Sequence, residues 1–363
     1  MLEPLSFAPY EQKARELRAL LHTLPEPSMH ETKTKNALLA FLKEETSLSV
    51  TDRGSWFYAY RQGTENAETV AFRADFDAVT GEDGISRHLC GHDGHAACLA
   101  AFGKWISDVP PEKNVFLLFQ PGEESGEGAA VCSALLKTEH IDRIFGFHNI
   151  PGAPVGQILL RHGTFACASV GLEIRFTGSP AHAAYPEYGV NPAEAIASLI
   201  LAVSETLREP HRGIVLSTVI GIDAGSDKFG VSASEGVLRL TVRAEHSEEF
   251  ASLLAFIRQN AAALAAEHGL AFSISETDAF PATENDDACL SMVSDAAARA
   301  GLDTASPAVP FRWSEDFGRY LQIVPGAFFG VGSGEACPAL HTADYRFPDA
   351  VIPYVLRLYR ALC

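Results

Sequence analysis

The sequence predicts an α/β protein with a mostly parallel sheet, into which a smaller α+β domain is inserted. Up to about residue 165, segments of strand character alternate with segments of helical periodicity, which is typical of a parallel sheet covered by helices on both faces. Near residue 166 this alternation gives way to the order β-α-β-β-α-β, and the first pattern returns after Pro281. A chain of 363 residues is also long enough for two domains.

The first part of the chain begins with two predicted helices separated by a proline-containing break. Apolar runs rich in β-branched and aromatic residues then predict buried strands with helices between them. The predicted helices are 11–21, 33–45, 95–106 and 126–138, and the predicted strands are 69–76, 114–119 and 143–148. In sheets of this kind, functional sites gather at the carboxyl ends of the strands. The polar side chains at these ends are Asp75, Asp77, Glu123, Glu124 and His148.

The inserted part, residues 166–280, is predicted to be a split βαβ arrangement, an antiparallel sheet with helices on one face. The run 169–176 alternates as a half-buried strand does, and Pro192 suits the first turn of a helix. The other predicted elements are helices at 191–208 and 247–268 and strands at 214–222, 236–244 and 270–275. After the insert come helices at 286–300, 314–321 and 349–362 and a strand at 326–331. We therefore expect residues 1–165 and 281–363 to form one domain and residues 166–280 another.

The composition argues against some classes of partner. The net charge of -18 at pH 7 disfavours binding to nucleic acid or to an anionic membrane, because a negative field repels phosphate. The apolar stretches are much shorter than a membrane span, and we expect a soluble, cytoplasmic protein. Seven dispersed cysteines, an odd number, fit reduced thiols better than a set of disulfides.

The most informative segments are His88-Leu-Cys-Gly-His-Asp-Gly-His95 and, further along, Gln120-Pro-Gly-Glu-Glu124. Thiolate, imidazole and carboxylate groups at this density are typical ligands of a late first-row divalent metal ion. Gly91 lets the backbone turn tightly, so that Cys90 and His92 can both face one ion. Each of these residues taken singly is more often structural, and it is their spacing that favours a metal site. A zinc finger would need a second Cys/His pair at finger spacing, which the sequence lacks.

The glutamate pair adds what a metal-dependent hydrolase needs besides its metal. A bound divalent metal ion can lower the pKa of a water molecule toward neutrality and so supply the nucleophile for hydrolysis. One carboxylate must then bind metal while another moves protons, and the adjacent Glu123 and Glu124 can divide these duties.

With these motifs, the chain resembles the M20 metallopeptidase family, and specifically its amidohydrolase branch, which includes hippurate hydrolases and N-acyl-amino-acid deacylases. The resemblance extends along nearly the whole chain. The matching segments are 21–26, 73–78, 90–95, 120–124, 147–151, 179–186, 314–317 and 340–345.

The resemblance implies a phosphorylase/hydrolase-like catalytic domain with an inserted ferredoxin-like lid and dimerisation domain. It also implies two divalent metal ions, zinc, manganese or nickel. Their ligands would be Cys90, His92, Glu124, His148 and His341. Glu123 would be the general base, Asp75 would orient a metal-ligating side chain, and His182 on the insert would stabilise the oxyanion. The expected reaction is hydrolysis of the amide bond of an N-acyl amino acid or a related small amide, in a homodimer formed through the lid.

Two alternatives stay open, a dipeptidase of the same family and a relative that binds metal or an amide without turnover. The cysteine in the ligand block favours the deacylase branch, and the presence of both glutamates argues against an inactive relative. The chain departs from the pattern of the branch at Ala78-Val79-Thr80, where proline is usual, and at Asn191, where aspartate is common. These departures leave the substrate preference open. Arg243 and Arg312 either bind a substrate carboxylate or form surface ion pairs.

Overall fold

The computed structural model describes residues 7–363, which divide into two compact units. The first unit contains the described chain up to Phe165 together with Thr283–Pro310 and Asp316–Cys363. The second unit contains Ala166–Ala282 and Phe311–Glu315. Among residues 7–363, no helix combines the length and the apolar character that crossing a membrane requires.

The chain up to Ala166 alternates helices and strands, and it also contains short strands that periodicity did not predict. The helices are α1 (Ala8–Leu21), α2 (Thr32–Glu45), α3 (His92–Asp108), α4 (Gly128–Cys132) and α5 (Ala134–Thr138). The strands are β1 (Ser49–Asp52), β2 (Phe57–Arg61), β3 (Thr69–Asp75), β4 (Val79–Thr80), β5 (Ser86–Arg87), β6 (Asn114–Gln120), β7 (Arg143–Pro151), β8 (Ile158–Leu159) and β9 (Gly163–Ala166).

The rest of the chain supplies the second unit and then completes the first. The second unit contains β10 (Ala168–Thr177), α6 (Ala193–Thr206), β11 (Val215–Ala224), β12 (Glu235–Ala244), α7 (Ser247–His268) and β13 (Ala271–Phe280). The first unit resumes with β14 (Thr283–Asn285), α8 (Asp287–Arg299), β15 (Thr304–Ala305), α9 (Gly318–Leu321), β16 (Gly326–Gly334) and α10 (Ile352–Leu362).

The centre of the first unit is an eight-stranded sheet with the order β1-β2-β6-β3-β7-β16-β8-β15. Its four middle strands, β6, β3, β7 and β16, are parallel to one another, whereas β2 and β8 pair with this block in antiparallel fashion. The middle strands are buried on both faces, as their near-continuous apolar sequences predict. The predicted α/β class with a mostly parallel sheet is confirmed. Because these strands are parallel, their carboxyl ends lie along one edge of the sheet.

The second unit is built around a four-stranded antiparallel sheet with the order β11-β12-β10-β13. Every second residue of β10 is buried, and these residues share one apolar core with α6 and α7. The intervening positions, such as Glu173 and Arg175, are polar and partly exposed. This alternation is typical of a sheet with one face covered and one face in water.

Three predicted helices differ from the observed ones. The helix predicted at 95–106 begins earlier, at His92, because Gly91 takes a left-handed conformation directly before it. The helix predicted at 126–138 is interrupted at Ser133 and forms the two short helices α4 and α5. The helix predicted at 314–321 is reduced to α9, because the Asp316 side chain is held by buried hydrogen bonds that fix the preceding segment.

Candidate metal centre

The site is assembled at the carboxyl edge of the parallel strands of the first unit. Asp75 is the last residue of β3, and β6 ends three residues before Glu123. His148 lies near the carboxyl end of β7, and α3 begins at His92 beneath the same edge. Fixed strands and a buried helix therefore position most of the side chains that the sequence singled out.

A single glycine provides the tight turn between Cys90 and His92. Gly91 has a φ of 105°, in the left-handed region that favours glycine. A Cβ at this position would lie 2.4 Å from the Asn149 side-chain oxygen, so no other residue fits without displacing it. Beside this turn, the Cys90 Sγ lies 3.4 Å from the Nε2 of His148.

His92 has one ring nitrogen held and the other without a partner. Its Nδ1 donates to Asp77 Oδ1 at 2.9 Å, which leaves the Nε2 lone pair exposed to the site. That Nε2 is buried and has no hydrogen-bond partner, yet it faces carboxylate oxygens of Glu124 at 3.7 Å and Glu123 at 3.9 Å. A buried nitrogen without a partner is costly, and a cation seated among these oxygens would satisfy it.

The remaining histidines complete the cluster. The Nδ1 of His148 donates to the carbonyl of Asn149 at 2.8 Å, which directs its Nε2 lone pair toward Cys90. His341 has a φ of 65°, rare for a residue with a side chain, and its Nε2 lies 3.5 Å from Glu124 Oε1. Its side chain is 51% exposed, so His341 is the part of the centre that faces solvent.

These donor atoms fit divalent metal ions. Within residues 7–363, five groups have all of their ligand atoms within 4.8 Å of one another, and three of them together contain the predicted ligands. These three groups are Cys90 with His92 and His148, Cys90 with Glu124 and His341, and His92 with Glu123 and Glu124. One sulfur, three imidazole nitrogens and carboxylate oxygens form a donor set suited to zinc and its neighbours in the first row rather than to magnesium or calcium.

The electrostatics of the cluster show an excess of negative charge. Burial lowers the pKa of His92, but the carboxylates of Asp75 and Asp77 outweigh it and raise the pKa to about 10. Burial, with Glu124 next, raises the pKa of the Cys90 thiol well above its usual value. Burial also lowers the pKa of His148 well below its usual value, so this ring is neutral and its lone pair is available. Cations bound here would take the place of protons.

The two acids at the carboxyl end of β3, Asp75 and Asp77, hold different imidazoles. Asp77, not Asp75, accepts the hydrogen bond from the candidate ligand His92, and Asp77 Oδ2 also accepts from the backbone N–H of Glu124 at 3.0 Å. Asp75 accepts from His95 Nδ1 at 2.7 Å and from Arg73 at 2.7 Å. Asp75 reaches His92 only at 3.8 Å, through the other ring nitrogen. The orienting contact predicted for Asp75 is therefore made by Asp77, and Asp75 acts on His95.

Glu123 is almost fully buried and lies beside the candidate ligands. Its Oε1 accepts from the backbone N–H of Asp316 at 3.4 Å. The carboxylate of Asp316 is in turn held by Arg73, Gln120 and the N–H of Ala129 at 2.7–2.8 Å. A buried network thus fixes the backbone that contacts Glu123.

Sequence reasoning missed Asp77, Asn149 and Arg73 as supports of the site. His95 is held on both sides, by Asp75 and by Asn149 Oδ1 at 2.5 Å, and Asn149 donates to Tyr345. A signal was available, since two acids spaced i, i+2 face two histidines spaced i, i+3. Such a pattern offers one carboxylate for each imidazole.

Three residues that the sequence singled out as candidates, His182, Arg243 and Arg312, lie in the second unit. His182 is exposed there, and its Nδ1 accepts from the N–H of Ala184 at 3.0 Å. Arg243 donates to the carbonyl of Arg312 and to the hydroxyl of Ser314, at 3.0 and 3.1 Å. Arg243 is thus held by neutral acceptors.

Comparison with known proteins relates most of the chain to one family of hydrolases. The sequence pattern of the peptidase family M20/M25/M40 matches residues 71–363. The chain is 31% identical to N-acetyl-L-cysteine deacetylase of Bacillus subtilis (strain 168), over 90% of this chain and 82% of that protein. It is 29% identical to N-acetyldiaminopimelate deacetylase of Leuconostoc citreum (strain KM20), over 92% of each chain.

A solved structure shares the fold. The YXEP protein of Bacillus subtilis, described as a dinuclear metal binding peptidase from the M20 family, superposes with a TM-score of 0.83 at 23% sequence identity. The superposition covers 98% of both chains.

Proposed function

The chain belongs to the peptidase family M20/M25/M40 and is a metallo-amidohydrolase, and we propose that it removes the acyl group from a small N-acyl amino acid. The proposal depends on one observation. The ligand atoms of Cys90, His92, Glu124, His148 and His341 lie in overlapping groups, and one of these atoms, the buried Nε2 of His92, has no hydrogen-bond partner. The deacetylase names of relatives about 30% identical support the substrate class.

We propose Cys90, His92, Glu124, His148 and His341 as the ligands of two divalent metal ions. When bound, the ions would activate a water molecule and polarise the carbonyl group of the substrate. Asp77 holds the ring of His92 by Nδ1, and the Asn149 carbonyl holds His148 by Nδ1, so that each presents Nε2 to the centre. Supports of this kind fix the tautomer and the orientation of a ligand.

Glu123 is proposed as the general base. It lies 3.9 Å from His92 Nε2, among the ligands, and its adjacent Glu124 takes the ligand role. Its carboxylate would take a proton from the attacking water and return it to the leaving amine nitrogen, so that the amide bond is cleaved without net loss of a proton. The predicted donor to the oxyanion is His182. Because its Nδ1 accepts a hydrogen bond, its proton lies on Nε2, where it can be donated.

The proposal is tested by assaying purified protein with manganese, zinc or nickel on N-acetyl and N-benzoyl amino acids and on dipeptides. We expect turnover of N-acyl amino acids that falls at least a thousandfold in Glu123→Gln, with metal content unchanged by elemental analysis. Glu127→Gln is the matched control, since Glu127 is an exposed glutamate close by. Preferential turnover of dipeptides would mean that the protein is a dipeptidase and not a deacylase. Metal binding without any turnover would indicate a non-catalytic relative.

We also propose a homodimer formed through the edge strand β11. β11 ends the sheet of the second unit, and Val219, Ile220 and Ile222 are exposed along it. An exposed apolar edge strand is a template for pairing with a second copy. Light scattering of the native protein should give a molar mass of twice the chain mass. In the Ile220→Lys variant, the molar mass should fall to that of a single chain. A monomeric native protein would contradict the dimer.

The proposed compartment is the cytoplasm, since the seven cysteines are all free thiols.

A further inference from the structure

We propose that a cavity beside the candidate metal centre binds a carboxylate at the far end of the substrate's amino-acid side chain, with Arg346 as its partner. The inference rests on the proposed function, because it names which N-acyl amino acids the site would select. Its experiment separates a failure of this inference from a failure of the deacylase assignment.

The cavity adjoins the candidate metal centre within the first unit. Its volume is about 520 Å³, which lies in the range of sites for small molecules. His341, a candidate ligand, and Leu89, the residue before Cys90, both line it. The charged and titratable residues in the rest of its wall are His22, Asp83, Arg87, His88 and Arg346. A group bound at the metals could therefore extend a side chain into this cavity without leaving the first unit.

Arg346 is the cation of this wall that has no acidic partner among residues 7–363. Its side-chain hydrogen bonds go to two backbone carbonyls, those of Ala343 at 3.1 Å and Tyr345 at 2.5 Å. Both bonds use Nη1, so the edge formed by Nε and Nη2 stays open for a ligand. That edge is a planar pair of donors, which matches the two oxygens of a carboxylate.

The other charges of the wall are already compensated. Arg87 donates to both oxygens of Asp83, at 2.7 and 3.1 Å. His22 is held through Nδ1 by the buried carboxylate of Asp93 at 2.8 Å. The cavity thus presents one unpaired positive charge, which favours an anionic group over a neutral or cationic one.

The test compares N-acetyl amino acids that carry a carboxylate at the end of the side chain with their amides of equal length. The series is N-acetylaspartate, N-acetylglutamate, N-acetyl-2-aminoadipate and N-acetyl-2-aminopimelate, each beside its ω-amide. We expect the wild-type protein to prefer the acid at one or two chain lengths by at least tenfold in kcat/KM. Arg346→Met should abolish this preference, and Arg346→Lys should reduce it, since lysine keeps the charge but loses the paired donors.

The matched control is Arg299→Met. Arg299 is also an exposed arginine of the first unit bonded to a backbone carbonyl, that of Ala361, but it does not line the cavity. The preference for the acid should be unchanged in this variant. A binding measurement complements the kinetics: in Glu123→Gln protein, calorimetry should show that adding Arg346→Met weakens binding of the preferred acid at least tenfold more than binding of its amide.

The inference is overturned if acids and amides are cleaved equally at every chain length, or if Arg346→Met lowers both to the same extent. Neutral N-acetyl amino acids would then still be hydrolysed, and the proposed function would stand. If no N-acyl amino acid is cleaved at all, the proposed function fails, and the calorimetric comparison alone decides whether the cavity selects a carboxylate.

Discussion

The two units of this protein hold their polar side chains in different ways. In the first unit, the strands that lead to the candidate metal centre are buried on both faces, and charged groups such as Arg73, Asp75 and Asp316 are almost fully enclosed. In the second unit, charged pairs such as Arg239 with Glu173 lie on a face of the sheet that is partly in water. The same kinds of charged residue therefore fix the geometry of the candidate site where they are enclosed, and favour solubility where they are exposed.

The largest contrast should come from two arginines. Arg73 donates to Asp75, Gln120 and Asp316, each at 2.7 Å, and is 1% exposed. Arg73→Met leaves two buried carboxylates, those of Asp75 and Asp316, without the cation that compensates their charge, and should destabilise the fold by about 3–5 kcal/mol. Arg239→Met removes partly exposed ion pairs and should cause little measurable change. Urea unfolding of both variants checks this, and equal losses would remove the distinction between the units.

The second largest difference in stability should be between substitutions of two glycines whose φ lies in the left-handed region. Gly269, after α7, has a φ of 66° and open space where a Cβ would lie, so Gly269→Ala should cost about 1–2 kcal/mol. Gly91→Ala adds a clash with Asn149, worth about 1–3 kcal/mol more, and should also displace Cys90 and His92. Unfolding curves and metal content measure the two effects. Full metal content in Gly91→Ala would show that the turn does not govern the centre.

Two aspartates test whether enclosure serves the metal centre itself. Asp77→Asn keeps the shape but weakens the support of His92, and metal affinity should fall about 10–100-fold. Asp223→Asn changes an aspartate of the second unit that pairs with Arg239 and should leave the affinity unchanged. Competition with a chromophoric chelator gives both values. An unchanged affinity in Asp77→Asn would contradict the supporting role.

The smallest effect on stability should come from an exposed ion pair of the first unit, Arg87 with Asp83. It tests whether exposure, rather than membership of the first unit, makes a charged pair weak. The hydrogen bonds from Arg87, with the backbone next, lower the pKa of Asp83 to about 2 from 3.8. Since the folded-state pKa is depressed, the contribution of this pair is present above about pH 4 and is lost as the pH falls toward 2. Asp83→Asn should remove only this shallow dependence, as seen in unfolding midpoints measured between pH 2 and 5. A large loss of stability at pH 7 would mean that the hairpin β4–β5 matters more than its exposure indicates.

Much of the fold followed from periodicity, because buried parallel strands and amphipathic helices leave strong local patterns. Short elements did not, since two-residue strands such as β4 and β5 are defined by their partners rather than by their own residues. The break at Ser133 between α4 and α5 was equally invisible in a continuous helical pattern.

The candidate site shows a similar limit. The motifs named the side chains that meet at the strand ends, because cysteine, histidine and paired glutamates at close spacing have few other uses. They did not indicate which acid holds which imidazole. Asp75 and Asp77 are two positions apart in sequence, and only the backbone path after β3 sends one to His95 and the other to His92.

The place of β16 in the sheet has a consequence for synthesis on the ribosome. This strand lies between β7 and β8, yet it follows the entire span from Ala166 to Ala282 in the chain. The growing chain therefore exposes all of the second unit, including Phe311–Glu315, before the middle of the larger sheet can close. Domains that emerge early can fold as units, so the smaller unit can fold first. Until β16 is synthesised, the edges of β7 and β8 that pair with it stay unpaired, and unpaired strand edges are prone to aggregation.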